Sequence, residues 1–207
     1  MVGNAIGTKF IESGYEVRMG SRTPNNEKAM DWASKNGKMA STGTFNDAAS
    51  FGELIVFCIK GESALSVLTS LRPELVEGKT IMDIAVPLDF SKGMPPFIIP
   101  DLSNTNSLGE EMQKQFPLSN VVKTFTVVNC QIMVNPLKFD DTLTMFLAGN
   151  NTDAKKQVKD ILQQFGWQDI IDLGDISAAR GLEAFVPFWV RIMVGLNTPN
   201  FGIKIVR

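Results

Sequence analysis

Two short stretches constrain the fold more than anything else in the chain. Leu54-Ile55-Val56-Phe57-Cys58-Ile59 is apolar at every position, and Thr80 to Ile84 reads as a second strand of the same kind after Gly78-Lys79. A strand with one wet face alternates in polarity, so an unbroken apolar run predicts a strand buried on both faces. Cys58, inside the first run, reads as a small core residue. Between the two strands, Ala64 to Leu71 has a helical pattern that ends at Arg72-Pro73. Strand, helix and strand in repetition predict a parallel, doubly wound sheet.

The same logic extends towards the amino terminus. A helical pattern from Asn4 to Ser13 ends at Gly14, and Tyr15 to Met19 alternate as a strand. Gly20-Ser21-Arg22 follows, with no carboxylate. In a dinucleotide-binding sheet this position selects the cofactor. An acid there binds the ribose 2′-hydroxyl of NAD, whereas a guanidinium and a hydroxyl suit the 2′-phosphate of NADP. Lys28 opens the next helix, Glu27 to Lys35, within reach of the same phosphate or as a solvated surface lysine. Met1-Val2-Gly3-Asn4-Ala5-Ile6-Gly7 reads as the second half of a glycine-rich phosphate-binding turn and the start of its helix. Gly3 is then the glycine that lets helix and strand pack closely. On this reading the sequence as given lacks the first strand and the first two glycines, through truncation, a misplaced start or unplaced residues. Otherwise the turn is not a dinucleotide turn at all.

Composition narrows the chemistry. The 207 residues hold no histidine, which removes Ser-His-Asp and Cys-His catalysis and imidazole acid–base work. The two cysteines are distant in sequence, and no secretory signal opens the chain, so reduced thiols and a cytoplasmic setting are expected. A metal site is not expected. A net charge of −2 gives no reason to expect nucleic acid, and no apolar run is long enough to span a membrane. Cofactor chemistry, which needs few titrating side chains, fits this inventory.

Further along, Phe45 to Ala49 reads as a short helix begun by Asn46 or Asp47. Ser91 to Asn106 is a long connection, and Ser107-Leu108-Gly109-Glu110 has the pattern of a capping box. Val121 to Val128, Leu143 to Ala148 and Asp169 to Leu173 read as strands, and Asp153 to Phe165 as an amphipathic helix. Ser177 to Leu196 is the longest helical pattern, which Pro187 should kink or split. Its stripe of Leu182, Phe185, Val186, Trp189 and Met193 reads chiefly as core packing, with part lining a pocket or a dimer interface. Phe201 to Val206 reads as a closing edge strand.

Taken together, Val2 to Gly7, Met19 to Arg22, Ile84 to Asp89, Asp101 to Glu110, Val121 to Phe125, Met145 to Gly149, Asp172 to Ile176, Ala179 to Glu183 and Gly202 to Lys204 resemble one family. It is the oxidoreductases that use NADP and the deazaflavin coenzyme F-420 (F420). The resemblance covers nearly the whole chain and implies a Rossmann-type α/β fold. Residues 1–122 would form the NADP-binding domain, and 123–207 a small C-terminal α/β portion on the substrate side. It implies hydride transfer between nicotinamide and deazaflavin with no side chain donating a proton, so no catalytic residue is assigned. It puts the pyrophosphate at Met1 and Val2, and the 2′-phosphate at Ser21 and Arg22, with Lys28. Ile59, Lys60, Ala85, Val86 and Pro87 would flank the ribose and nicotinamide. Asn129 and Cys130 fall where cofactor and partner meet, Cys130 as packing rather than as a redox thiol. The family also implies a homodimer. The chain departs from the family in lacking the first strand, in carrying Val86 where relatives have Asn, and in carrying Thr126 where relatives have Asn or His. A flavin or another small-molecule acceptor is therefore an alternative redox partner.

Two other readings compete. One is a non-catalytic, nucleotide-sensing or interaction protein on the same scaffold. The other is a dehydrogenase for a small alcohol or hydroxy acid, which needs an acid or base. Lys60, Lys123, Asp89, Glu183 and the sole tyrosine, Tyr15, are the candidates for that role.

Overall fold

The fold is described from a computed structural model, in which residues 2–207 are placed well enough to describe. Its elements are α1 (Val2–Glu12), β1 (Val17–Ser21), α2 (Glu27–Asn36), β2 (Ala40–Thr44), α3 (Phe45–Phe51), β3 (Leu54–Phe57), α4 (Gly61–Ser70), β4 (Thr80–Asp83), β5 (Leu88–Asp89), β6 (Phe97–Ile98), α5 (Leu108–Gln115), β7 (Asn120–Thr124), α6 (Cys130–Val134), β8 (Thr144–Gly149), α7 (Thr152–Gln164), β9 (Asp169–Asp172) and α8 (Ala179–Leu196).

Local chemistry sets most of the helix starts. The side chains of Asn26, Thr44, Ser107, Asn129 and Asn151 each accept a backbone N–H in the first turn of the helix they precede. Thr44, rather than Asn46 or Asp47, begins α3. Asp47 closes a reciprocal capping box with it. Gly14 sits at φ 91°, in the left-handed region expected at a helix end.

Among the described residues the strands form three sheets. A five-stranded sheet has the order β3-β4-β7-β8-β9, parallel except for the antiparallel pair β7–β8. It runs without interruption across residues 122 and 123. Strands β1 and β2 pair in parallel with each other alone, and β5 and β6 form a small antiparallel ribbon. One core cluster contains Ile6, Phe10, Met82, Val122, Phe125, Leu147, Val158, Leu162 and Trp167. A second contains Ala49, Phe57, Val67, Ile81, Leu108, Met112 and Phe116.

Several expectations need correction. Strand β3 is not buried on both faces: Leu54, Ile55 and Val56 are half-buried, whereas all of β4 is buried. The cause is that, among the described residues, β3 has a strand on one side only. The strand predicted over Val121 to Val128 stops at Thr124, where Phe125 adopts φ 64° and turns the chain. Helix α8 continues through Pro187 without a break. The tail Phe201 to Val206 is not a strand; the Thr144 N–H donates to the Ile203 carbonyl, but Ile205 N–H donates to the Thr144 hydroxyl instead of continuing a ladder. Close helix packing falls at Gly7, where a Cβ would lie 2.8 Å from Trp32; at Gly3 its nearest neighbour would be at an ordinary 3.6 Å.

Candidate functional site

A cleft of about 1530 Å³ opens at the carboxyl ends of β1, β3 and β4 and extends between β1 and β3. Carboxyl ends of parallel strands are where open α/β sheets bind ligands, because the following loops diverge there. Among the predicted site residues, Val2, Ser21, Lys28, Ile59, Lys60, Ala85, Val86, Asn129 and Cys130 line this cleft. Arg22 and Pro87 do not line it. Arg22 is exposed one residue beyond Ser21, and Pro87 follows Val86 on the rim. Met1 lies outside the described residues.

The end of β1 offers an anion site. Helix α1 has no acidic residue in its first turn, so nothing there opposes the preference of a helix amino terminus for an anion. Ser21 and Lys28 line the same space; Arg22 follows Ser21 outside the lining, and the Ser21 hydroxyl donates to the Thr23 carbonyl. No carboxylate stands in Gly20-Ser21-Arg22, and the nearby Asp47 is turned away by its bonds to the Thr44 N–H and hydroxyl. Those bonds, with the hydroxyl first, hold its carboxyl below the usual range.

Two loops form the middle of the rim, and Gly61 clamps them together. A Cβ at Gly61 would lie 1.9 Å from the Val86 carbonyl oxygen and 2.5 Å from Pro87 Cα. Only glycine allows the turn after β3 to touch the turn after β4 so closely. This role was not readable from sequence, although a glycine at a strand-to-helix junction is the signal that could have marked it.

Behind the rim lies a buried ion cluster that sequence reasoning also missed. Lys123 Nζ sits 2.9 Å from Asp83 Oδ2 and 2.8 Å from Glu183 Oε1, and it donates to the Ala85 carbonyl. Asp83 accepts the Ala85 N–H at 2.9 Å, and Glu183 accepts the N–H groups of Leu108 and Gly109 at the start of α5. All three side chains are essentially inaccessible to water. Desolvation pushes Asp83 and Glu183 above the usual carboxyl range, against the pull of Lys123. Desolvation also opposes the Lys123 charge, but the two carboxylates outweigh it and raise the amine. The cluster therefore pins Ala85 at both its N–H and its carbonyl, joining β4, β7, α5 and α8 beside the cleft. None of its three side chains lines the cleft. Asp89 accepts the Ser91 N–H outside the cleft, and Tyr15 lies at the cleft's far end, bonded to Gln164. Of the five acid–base candidates, Lys60 alone lines the carboxyl-end rim.

The opposite wall carries polar groups that have no partner among the described residues. Thr126 Oγ1 and Trp189 Nε1 are buried and unbonded, and both residues line the cleft. The left-handed turn at Phe125 sends that ring into the core, against Phe165 and Trp167, and leaves Thr126 at the cleft. Positive φ in a bulky residue is strained, and such strain clusters at functional sites. Trp189 stacks on Phe201 at 5.2 Å. Asn129 is already engaged: its oxygen caps α6, and its amide donates to the Pro199 carbonyl, fastening the tail to this wall. Cys130 and Cys58 are both free thiols. Burial, then Asp83, pushes the Cys58 thiol up to about 12, so it stays protonated and inert at neutral pH. Val186 and Trp189 of the α8 stripe line the cleft, while Leu182 packs in the interior.

The chain resembles known proteins at several levels. The family model described as "NADP oxidoreductase coenzyme F420-dependent" matches residues 1–87. An F420-dependent NADP reductase of Methanocaldococcus jannaschii is 30% identical over 164 residues, which cover 78% of this chain and 71% of that one. A crystal structure from Arthrobacter sp. FB24, provisionally named an F420-dependent NADP-reductase, is 39% identical. It superposes with a TM-score of 0.94 over 100% of this chain and 95% of that one. A hypothetical protein from Sinorhizobium meliloti, 19% identical, shares the fold at a TM-score of 0.70, over 89% of this chain and 85% of its own.

Proposed function

This chain belongs to the family of coenzyme F420-dependent NADP oxidoreductases, and on that premise we propose that its cleft holds NADP(H) beside a deazaflavin and brings their rings together for hydride transfer. The observation that carries this reading is the distribution of polar groups along the cleft. Its β1 end offers Ser21, Lys28 and a helix amino terminus without a competing carboxylate, with Arg22 just outside the lining, and its far wall offers two buried, unbonded polar groups. The first suits a 2′-phosphate and pyrophosphate; the second suits the heteroatom edge of a flat redox ring.

Each residue has a definite task. Ser21, Arg22 and Lys28 bind the 2′-phosphate, and Val2 at the start of α1 contributes to the pyrophosphate site. Ile59, Lys60 and the Ala85–Pro87 turn form the wall beside ribose and nicotinamide, held in place by Gly61 and the ion cluster. Thr126 and Trp189 orient the second ring, while Cys130 and Val186 exclude water. Bound NADPH supplies the hydride from its nicotinamide ring. The protein supplies alignment and dryness, which account for much of the rate in such a transfer. The buried cluster is tied up in its own ion pairs, so the alternative of acid–base alcohol oxidation lacks a base, apart from the exposed Lys60. In this division of labour, residues 2–122 serve the cofactor and 123–207 the partner. Exposed Phe188, Val194 and Leu196 on α8 support the family's homodimer as the assembled form.

Mixing the protein with NADPH and F420, and following nicotinamide and deazaflavin absorbance together, tests the proposal. Equimolar loss of both is expected. Turnover with FMN or FAD but not with F420 would replace the acceptor, and NADPH binding without transfer to any of them would favour a nucleotide-sensing role.

A further inference from the structure

Asp83, Lys123 and Glu183 are the only charged side chains among the buried described residues, and their charges do not balance. Lys123 Nζ lies within 2.9 Å of both Asp83 Oδ2 and Glu183 Oε1. The other carboxylate contacts are also donors. Asp83 Oδ1 accepts the Ala85 N–H, Glu183 Oε1 the Gly109 N–H and Glu183 Oε2 the Leu108 N–H. Burial raises both carboxyls, yet a proton on either would face donors instead of an acceptor. Both are therefore ionised, and two carboxylates against one ammonium leave one negative charge. The amino terminus of α5, at Leu108 and Gly109, offsets about half of it. Water screens none of the rest, because all three side chains are inaccessible. Burying an unmatched charge is unfavourable, so the second carboxylate calls for a reason beyond pairing with Lys123.

The cluster sits directly behind the cleft wall. Ala85 lines the cleft, with its N–H held by Asp83 at 2.9 Å and its carbonyl held by Lys123, and Val86 follows on the same wall. In so dry a setting a charge acts further than it does at a surface. Lys60, the cation on the neighbouring rim loop, is exposed, so solvent and salt screen it. Loss of hydride from NADPH carries both bonding electrons and the hydrogen to the acceptor ring, and leaves the nicotinamide with one positive charge. A fixed negative field beside that ring stabilises the cationic, oxidised state and leaves the neutral, reduced state nearly untouched.

We infer that the surplus negative charge of the Asp83–Lys123–Glu183 cluster, held behind the Ala85–Val86 turn, selects oxidised over reduced nicotinamide and so favours release of hydride to the acceptor. Asp83 and Glu183 do not line the cleft; they act by their field through its wall. This bias presupposes that nicotinamide lies beside Ala85–Pro87, as proposed above.

Calorimetric titration with NADP⁺ and NADPH separately, without any acceptor, tests it. The readout is the ratio of the two dissociation constants, NADP⁺ over NADPH. Distortion of the wall weakens both and leaves that ratio alone. Glu183→Gln and Asp83→Asn should each raise it at least about threefold, after allowance for the helix terminus. The hydrogen bonds of Glu183 go to Leu108, Gly109 and Lys123 and not to Ala85, so matching shifts from the two positions report charge. Glu183→Asp, which keeps the charge, should stay near the parent ratio. An unchanged ratio in both neutral variants, once folded, would overturn the inference. The unmodified protein gives a test that does not depend on how buried variants fold. NADP⁺ should bind at least about threefold more tightly than its analogue carrying an uncharged benzamide ring, and equal binding would overturn the inference. Val86→Lys separates the field from the placement of the ring, because a cation on that turn should raise the ratio wherever nicotinamide lies beside it. No change in Val86→Lys would put the ring elsewhere and overturn the placement and the inference together. A raised ratio there, with unchanged cluster variants, would overturn the inference alone.

Discussion

Strands β3 and β4 lie side by side in parallel register, Leu54 opposite Thr80 and Phe57 opposite Asp83, and they differ sharply in burial. The more apolar of the two, β3, keeps three of its four residues half-exposed, while β4, with a threonine and an aspartate, is buried throughout. Neighbours make the difference. Strand β4 has β3 and β7 on its sides and the ion cluster at its end, whereas β3, among the described residues, has a strand on one side only. Hydrophobicity states what a strand can bury; the sheet decides what it does bury. The cleft lies where these two conditions meet, with one wall made by the segments that follow β4 and β7 and the other by β1 and β3.

The largest blow to this contrast should come from Lys123→Met. It leaves Asp83 and Glu183 buried together without their cation, and unfolding in urea should show a loss of about 3–5 kcal/mol. Val56→Ala on the β1–β3 wall should lose far less, roughly 1 kcal/mol, because its side chain is only half-buried. Equal losses would remove the distinction between the walls. Arg22→Ala should weaken NADPH binding by about 1.5–3 kcal/mol, the worth of a charged hydrogen bond, and leave NADH binding nearly unchanged. Gly61→Ala should destabilise the protein by about 1–3 kcal/mol through the clash with Val86 and Pro87, and should weaken both nicotinamide cofactors alike.

The smallest effect concerns pH. Hydrogen bonds from Arg180, at 2.8 and 2.5 Å, and then from Ser107 hold Glu110 below its ordinary value of 4.5. A carboxyl lowered in the fold binds fewer protons there than in the unfolded chain. Its contribution is therefore complete above pH 4.5 and fades as pH falls through the folded value. Glu110→Gln should reduce stability at neutral pH by about 0.5–1 kcal/mol, and the difference from the parent should shrink in acid. A constant difference across that range would show that the pair contributes through packing alone.

Much of this architecture is legible in the sequence because it is written locally. Apolar runs predict β3 and β4, Gly14 predicts the end of α1, and Ser107 with Glu110 predicts the start of α5. Gly20 and Ser21 end β1 and line the cleft, and Arg22 follows them outside its lining. The hidden parts depend on residues distant in sequence. Lys123 and Glu183 look like free ionisable groups until the fold buries them against Asp83, and Gly61 looks like an ordinary loop glycine until Val86 approaches it. Phe125 gave no warning of its left-handed turn, since nothing in a phenylalanine favours that conformation. The half-burial of β3 was unreadable from its own residues, because it reflects what lies beside the strand.

Binding of the two nicotinamide cofactors tests the central claim most directly. The protein should be titrated separately with NADPH and NADH, followed by nicotinamide fluorescence. The account predicts binding selective for NADPH. Equal affinity for NADH and NADPH would contradict it, because the end of β1 would then not recognise a 2′-phosphate.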